Sequence, residues 1–243
     1  MTISAAANVL VKYLISASPG CCIMNFTDTL LPQSWQAIAL VIYLIVLFQA
    51  VRRAPWKRLQ QPDLQHLFMA ATVLVLVLWH LKAGIKPGLN LHLLGATALT
   101  LMFGPWMAIV ALSVVLLITT AFAAGEFASL AVNGMLMIAL PVTVTYELFR
   151  LTDSKLPNHF FIYILLNAFV GAALSITATG LGSSWLLAAA GTYSLDYLYQ
   201  EYTPYYLLMG WSEAFSTGLI MTLIVVYRPH WVWTFDDKRY LNK

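Results

Sequence analysis

Residues 35–58 read WQAIALVIYLIVLFQAVRRAPWKR, and the change of character inside that stretch decides the fold. From Trp35 to Val51 no side chain is charged; Arg52, Arg53, Lys57 and Arg58 then follow almost at once. An apolar run of this length can cross the hydrocarbon core as a helix, which takes about 20 residues within a range of about 17–25. The basic cluster that ends it marks a cytoplasmic loop, where Lys and Arg accumulate.

The rest of the chain repeats the theme. Of 243 residues, 60% are hydrophobic and 9% charged, with a mean hydropathy of +0.78. A soluble domain carries about 25% charge. So few charges cannot solvate the surface of a water-borne domain, whereas a bilayer accepts apolar helix faces. The sequence therefore predicts an all-α, polytopic transmembrane helical bundle of about seven spans, roughly residues 35–51, 66–81, 91–103, 106–124, 128–148, 159–181 and 205–227. Residues 84–90, with two glycines and a proline, predict a turn, and Gly104-Pro105 predicts a break after the short third span. Residues 182–203 read as a loop with a short helix over 184–190, or alternatively as an extra span.

Charge sets the orientation. With seven spans and an outer amino terminus, Arg52, Arg53, Lys57, Arg58, Arg150, Lys155, Arg228, Lys238, Arg239 and Lys243 fall inside, and Lys12, Lys82 and Lys86 outside. That is ten of thirteen cations on the cytoplasmic side, so the expected arrangement is N-out, C-in. Trp35, Trp56, Trp79, Trp106, Trp185, Trp231 and Trp233 fall near span ends, where amphipathic rings suit the interface. Small residues within spans, such as Gly171, Gly210 and Gly218, predict close helix approach. Net charge is +3 and unclustered, which argues against a nucleic-acid partner and leaves the lipid bilayer as the first one. Residues 1–23 match a signal peptide poorly, because Lys12 interrupts the apolar part; Met24 is an alternative start.

Ionisable and amide side chains at membrane depth are costly and so define the candidate site residues. Glu213 lies a third of the way into the last span. His92 sits at the outer mouth of the third, with Asn90 just before it, and Asn133 and Asn167 fall within the fifth and sixth. For Glu213 two readings compete: a carboxylate satisfied by a neighbouring hydroxyl or amide, or a functional group. For His92 the pair is an interfacial histidine bonded to a loop carbonyl, or a ligand. Asn133 and Asn167 are expected to hydrogen-bond between helices. Glu147 and Arg150 suit a surface ion pair, and Met102, Met135 and Met137 suit apolar filling. No phosphate-binding Gly-rich loop, Ser-His-Asp set, HExxH or CxxC is present, so the chain is not read as an enzyme, and any active transport draws its energy from a partner or a gradient.

Two segments carry a resemblance. Met24-Asn25-Phe26-Thr27-Asp28-Thr29-Leu30-Leu31-Pro32-Gln33-Ser34-Trp35 is similar to the mature amino terminus of the CbiM/NikM family. Pro87-Gly88-Leu89-Asn90-Leu91-His92-Leu93-Leu94-Gly95-Ala96, with Phe103-Gly104-Pro105-Trp106 behind it, resembles that family's Pro-Gly…His-Leu-x-Gly block. Asn133-Gly134 to Pro141 and Glu213 to Gly218 also fit, and the ending Val226-Tyr227-Arg228-Pro229…Phe235-Asp236-Asp237 resembles a proteobacterial branch. The resemblance implies a substrate-capture membrane (permease) component of an energy-coupling-factor importer for cobalt or nickel. It would lie in the bacterial inner membrane and work with a transmembrane coupling protein and ATPase subunits. Residues 24–243 would be a single transmembrane domain, and residues 1–23 an amino-terminal extension.

The resemblance also implies a nitrogen-rich, planar metal site that takes Ni(II) or Co(II) as substrate, with no permanently bound cofactor. In a chain that starts at Met24, the site's ligands would be the amine of Met24, the backbone nitrogen of Asn25 and the imidazole of His92; a start at Met1 leaves no free amine at Met24. The family's second histidine is replaced here by Asn25, whose amide side chain is a poor ligand for Ni(II). Two other readings stand beside this one. One is a solitary gradient-driven permease for another small cargo, with Glu213 as its proton-linked carboxylate. The other is a membrane assembly subunit or an intramembrane enzyme.

Overall fold

The computed structural model describes residues 30–81, 83–86, 89–122 and 127–240, with backbone alone over 83–86 and 89–91. Its helices are α1 (Gln33–Arg53), α2 (Pro62–His80), α3 (Ala96–Phe103), α4 (Pro105–Phe122), α5 (Leu130–Lys155), α6 (Phe160–Ala189), α7 (Leu195–Glu201), α8 (Thr203–Tyr227) and α9 (Asp237–Tyr240). An antiparallel hairpin, β1 (Ala83–Lys86) with β2 (Leu89–Leu91), joins α2 to α3.

Among the described residues, six segments are long and apolar enough to cross a membrane: α1, α2, α4, α5, α6 and the stretch Leu195–Tyr227 that contains α7 and α8. The chain is thus an integral membrane helical bundle, as expected. Its lipid-facing belt includes Ile38, Val41, Leu44 and Phe48 of α1, each more than half exposed although apolar.

The predicted third span differs in form. Leu91 ends β2, residues 92–95 are irregular, and the helix begins at Ala96. The eight residues of α3 rise only about 12 Å at 1.5 Å each, against a hydrocarbon core of about 30 Å. A helix so short survives because it never meets lipid. Seven of its residues, Ala96, Thr97 and Leu99 to Phe103, are buried, and α4, α5, α6 and α8 pack around it. Irregular backbone at membrane depth is tolerated where protein surrounds it. Glycines in the left-handed region bracket the element: Gly95 at φ +66° and Gly104 at φ +85°. The second supplies the break foreseen at Gly104-Pro105.

Contacts at the ends give the chain path. The Arg53 guanidinium lies 5.2 Å from the Trp106 ring, so the end of α1 meets the start of α4. At the same end Arg239 pairs with Asp153 at 3.0 Å, and the Tyr240 hydroxyl donates to Asp153 at 3.0 Å. Burial and the Asp153 charge push the Tyr240 hydroxyl above its ordinary pKa. Arg53, Arg150, Lys155, Arg228 and Arg239 therefore share one end of the bundle. At the other end Thr192 donates to the Leu30 carbonyl at 2.8 Å, joining the start of the described chain to the end of α6.

Residues 182–203 are not the predicted loop. α6 runs on to Ala189, a turn with Gly191 at φ +72° follows, and α7 leads into α8 without a separate crossing. The small residues there act in packing: α6 and α8 form the most extensive helix pair, with Gly180 lying against Tyr206. Wider π-type turns occur at Met135–Ala139 and Tyr163–Val170. Thr179 donates from α6 to the Leu136 carbonyl inside the first of them.

Candidate functional site

His92 starts the irregular stretch between β2 and α3, and it is buried, at 6% exposure. Its Nδ1 lies 3.1 Å from the Leu93 carbonyl oxygen. A carbonyl can only accept, so Nδ1 is the donor in this contact, and in a neutral ring the lone pair then lies on Nε2. The ring lies 5.0 Å from that of Trp79, at 49°.

Two helices brace Leu94 and Gly95, just beyond His92. The Trp79 indole N–H, at the end of α2, donates to the Leu94 carbonyl at 3.1 Å. From α8, Glu213 accepts the Leu94 amide on Oε2 at 2.9 Å and the Gly95 amide on Oε1 at 2.7 Å. Glu213 is 1% exposed. Its carboxylate takes up backbone donors just ahead of the first turn of α3, where negative charge is favoured. The amide-satisfied reading of Glu213 is the one this geometry matches. Gly95 is required there by its positive φ and by Val75, whose Cγ2 would stand 2.9 Å from an added Cβ.

The far end of α3 is held as well. The amides of Trp233 and Thr234 donate to the Met102 and Leu101 carbonyls at 2.9 and 3.2 Å, and the Thr234 hydroxyl adds a bond to Leu101 at 2.9 Å. In the first turn of α3 Thr97 meets Thr145 and Ser175 at 2.8 and 3.0 Å. The helix behind His92 is therefore tied at both ends.

The other sequence candidates are distributed differently. Asn167 is buried and accepts from Thr152 at 2.5 Å, an α5–α6 bridge of the expected kind, close to the basic end. Asn133 is buried beside Gly134, which packs on the Tyr43 ring. Glu147 and Arg150 form the predicted surface pair at 3.1 Å. Met24 and Asn25 lie outside the described residues, and so does the side chain of Asn90. Among the described residues no group of three or more His, Cys, Asp or Glu gathers as a metal cluster. Trp79, expected at the interface, is 1% exposed and serves the turn instead. Trp79 and Thr234 are the residues that sequence reasoning missed; a tryptophan three positions before the basic Lys82 looks like any interfacial ring. A shallow depression of about 660 Å³ near Trp185, Tyr193 and Ser194 contains none of the candidates.

A multispan helical bundle with a short, buried helix clamped at its centre defines a class: polytopic integral membrane proteins. The family described as "Cobalt uptake substrate-specific transmembrane region", CbiM, matches residues 25–231, and this chain belongs to it. A relative named "Cobalt transport protein CbiM", from Anoxybacillus flavithermus, is 27% identical over 187 residues, covering 76% of this chain and 73% of its own length. Two solved structures share the fold. A truncated transition metal transporter is 23% identical with a TM-score of 0.72 over 84% of this chain and 99% of its own. A transition metal transporter is 22% identical with a TM-score of 0.70 over 83% and 92%. The resemblance read from the sequence is borne out, and the chain is a membrane component of a metal-ion transport family.

Proposed function

We propose that this chain is the substrate-binding membrane (permease) component of an energy-coupling-factor importer for a transition-metal ion of the cobalt–nickel kind, in a bacterial inner membrane. The observation that carries the reading is His92: buried, packed against Trp79, and directing Nδ1 at a backbone carbonyl, which in a neutral ring makes Nε2 the nitrogen with the lone pair. The resemblance to the family supplies the other donors: in a chain that begins at Met24, its amine and the backbone nitrogen of Asn25, with Asn90 a further polar candidate. Such an all-nitrogen set suits Ni(II) or Co(II). The basic end, with Arg53, Arg150 and Arg239, faces the cytoplasm in this reading and docks the coupling protein with its ATPase subunits.

A gradient-driven permease would need Glu213 to exchange protons with the cargo path. Each of its oxygens accepts from a backbone amide, which favours an anchor over a shuttle. The test is elemental analysis of protein purified without chelator after exposure to Ni(II) or Co(II). His92→Ala is expected to abolish metal retention; a variant that keeps wild-type stoichiometry rejects the reading.

A further inference from the structure

We propose, on the reading that His92 binds the metal, that Glu213 is a positioning residue which sets the tautomer and orientation of His92 through a single peptide unit. The Leu93 carbonyl and the Leu94 amide belong to the same peptide. Its N–H donates to Glu213 Oε2 at 2.9 Å, and its C=O accepts from His92 Nδ1 at 3.1 Å. A carboxyl oxygen accepting on the amide side pushes electron density toward the carbonyl oxygen, because hydrogen bonds in series polarise one another. That oxygen becomes the stronger acceptor and holds the ring by its Nδ1.

A ligating histidine commonly donates its second nitrogen to a carboxylate or a carbonyl, which fixes the ring and raises its basicity. Here a carboxylate acts on the histidine with one peptide between them. The neighbouring peptide is held in parallel: the Gly95 N–H donates to Oε1 at 2.7 Å, and the Leu94 carbonyl accepts from Trp79. One carboxylate thus orients two successive peptide planes, whose carbonyls receive His92 and the indole that packs against it.

Glu213→Gln tests this with little change of shape. The amide nitrogen of Gln would face a backbone N–H, so one of the two bonds becomes donor against donor. Full-length protein in nanodiscs is titrated with Co(II), and the metal-free form, carrying 15N-labelled histidine, is examined by NMR. The expected result is a 10–100-fold loss of Co(II) affinity, the usual effect of disturbing such a partner, together with partial conversion of His92 to the Nε2–H tautomer. Thr234→Val is the structural control, because it loosens the far end of α3 without touching the turn; it should keep the Nδ1–H tautomer and stay within about twofold in affinity. Should Glu213→Gln fail to fold, Glu213→Asp keeps the charge on a shorter arm and is expected to fall between the two. Wild-type affinity with an unchanged tautomer in a folded Glu213 variant overturns the proposal, as does an equal loss in Thr234→Val. Either outcome is separable from failure of the metal reading itself, which shows as metal retained by His92→Ala.

Discussion

Gly180→Ala is expected to force α6 and α8 apart. A Cβ at position 180 would stand 2.5 Å from Tyr206 Cδ1 and 2.6 Å from Tyr206 Cβ, where ordinary contact begins at 3.4 Å. The shortfall is close to 1 Å, and it falls on the root of the tyrosine, which cannot swing aside. The ring is also held, since Tyr202 donates to its hydroxyl at 3.0 Å. Overpacking a tight interior costs about 1–3 kcal/mol, and the fixed ring places this site at the upper part of that range. Gly210 lies in the same helix pair but has room: its added Cβ would meet Thr177 Oγ1 at 3.5 Å and the Ala173 carbonyl at 3.6 Å. Gly210→Ala should therefore change stability by less than about 0.5 kcal/mol. Unfolding by SDS in mixed micelles reads both variants against the wild type. Glu213 follows Tyr206 by about two helical turns, on the same buried face of α8, so the displaced helix should also weaken metal binding in Gly180→Ala. Matching SDS midpoints for the two alanine variants would refute this account of the interface.

Tyr43→Phe should cost about 0.6 kcal/mol, the mean for hydrogen bonds between membrane helices. The Ser113 hydroxyl gives its proton to the Ile109 carbonyl at 2.6 Å, so Tyr43 is the donor in the 2.7 Å bond that joins α1 to α4; an unchanged SDS midpoint contradicts that assignment. In a chain made to begin at Met24, Asn25→His supplies the imidazole that the family carries there. Ni(II) affinity should rise and the absorbance of a planar complex should appear; a titration identical to that of the parent chain means the amino terminus does not contribute as proposed.

The bundle was legible because membrane helices declare themselves by composition. The uncharged run from Trp35 to Val51 and the basic residues behind it needed no knowledge of packing. Gly104-Pro105 was legible too, since a left-handed glycine followed by proline ends a helix in any environment. The clamp on α3 was not. Its bonds join Leu94 to Glu213 and Leu101 to Thr234, across 119 and 133 positions, and nothing local in a glutamate or a threonine announces a distant backbone partner. The boundary of α6 was misread for a related reason. Gly182, Ser183 and Ser184 suggest a turn by propensity, but Ser184 returns its hydroxyl to the Gly180 carbonyl at 2.9 Å within the helix, and burial against α8 favours continuation. His92 was visible by residue type and motif, whereas its brace from Trp79 required the fold.

The long-range bonding of α3 has a consequence for synthesis. At about 5–20 residues per second, the partners of its ends leave the ribosome on the order of ten seconds after it does. Until then the Leu94 and Gly95 amides and the Leu101 and Met102 carbonyls lack the downstream groups that receive them in the finished fold, and each would cost several kcal/mol in lipid. The short helix must wait at the membrane surface or in a wet enclosure while the longer spans insert around its place. His92 is seated last, when α8 delivers Glu213 and the segment beyond it delivers Thr234. Chains cut short before residue 213 would enter the membrane yet lack the turn that presents the histidine.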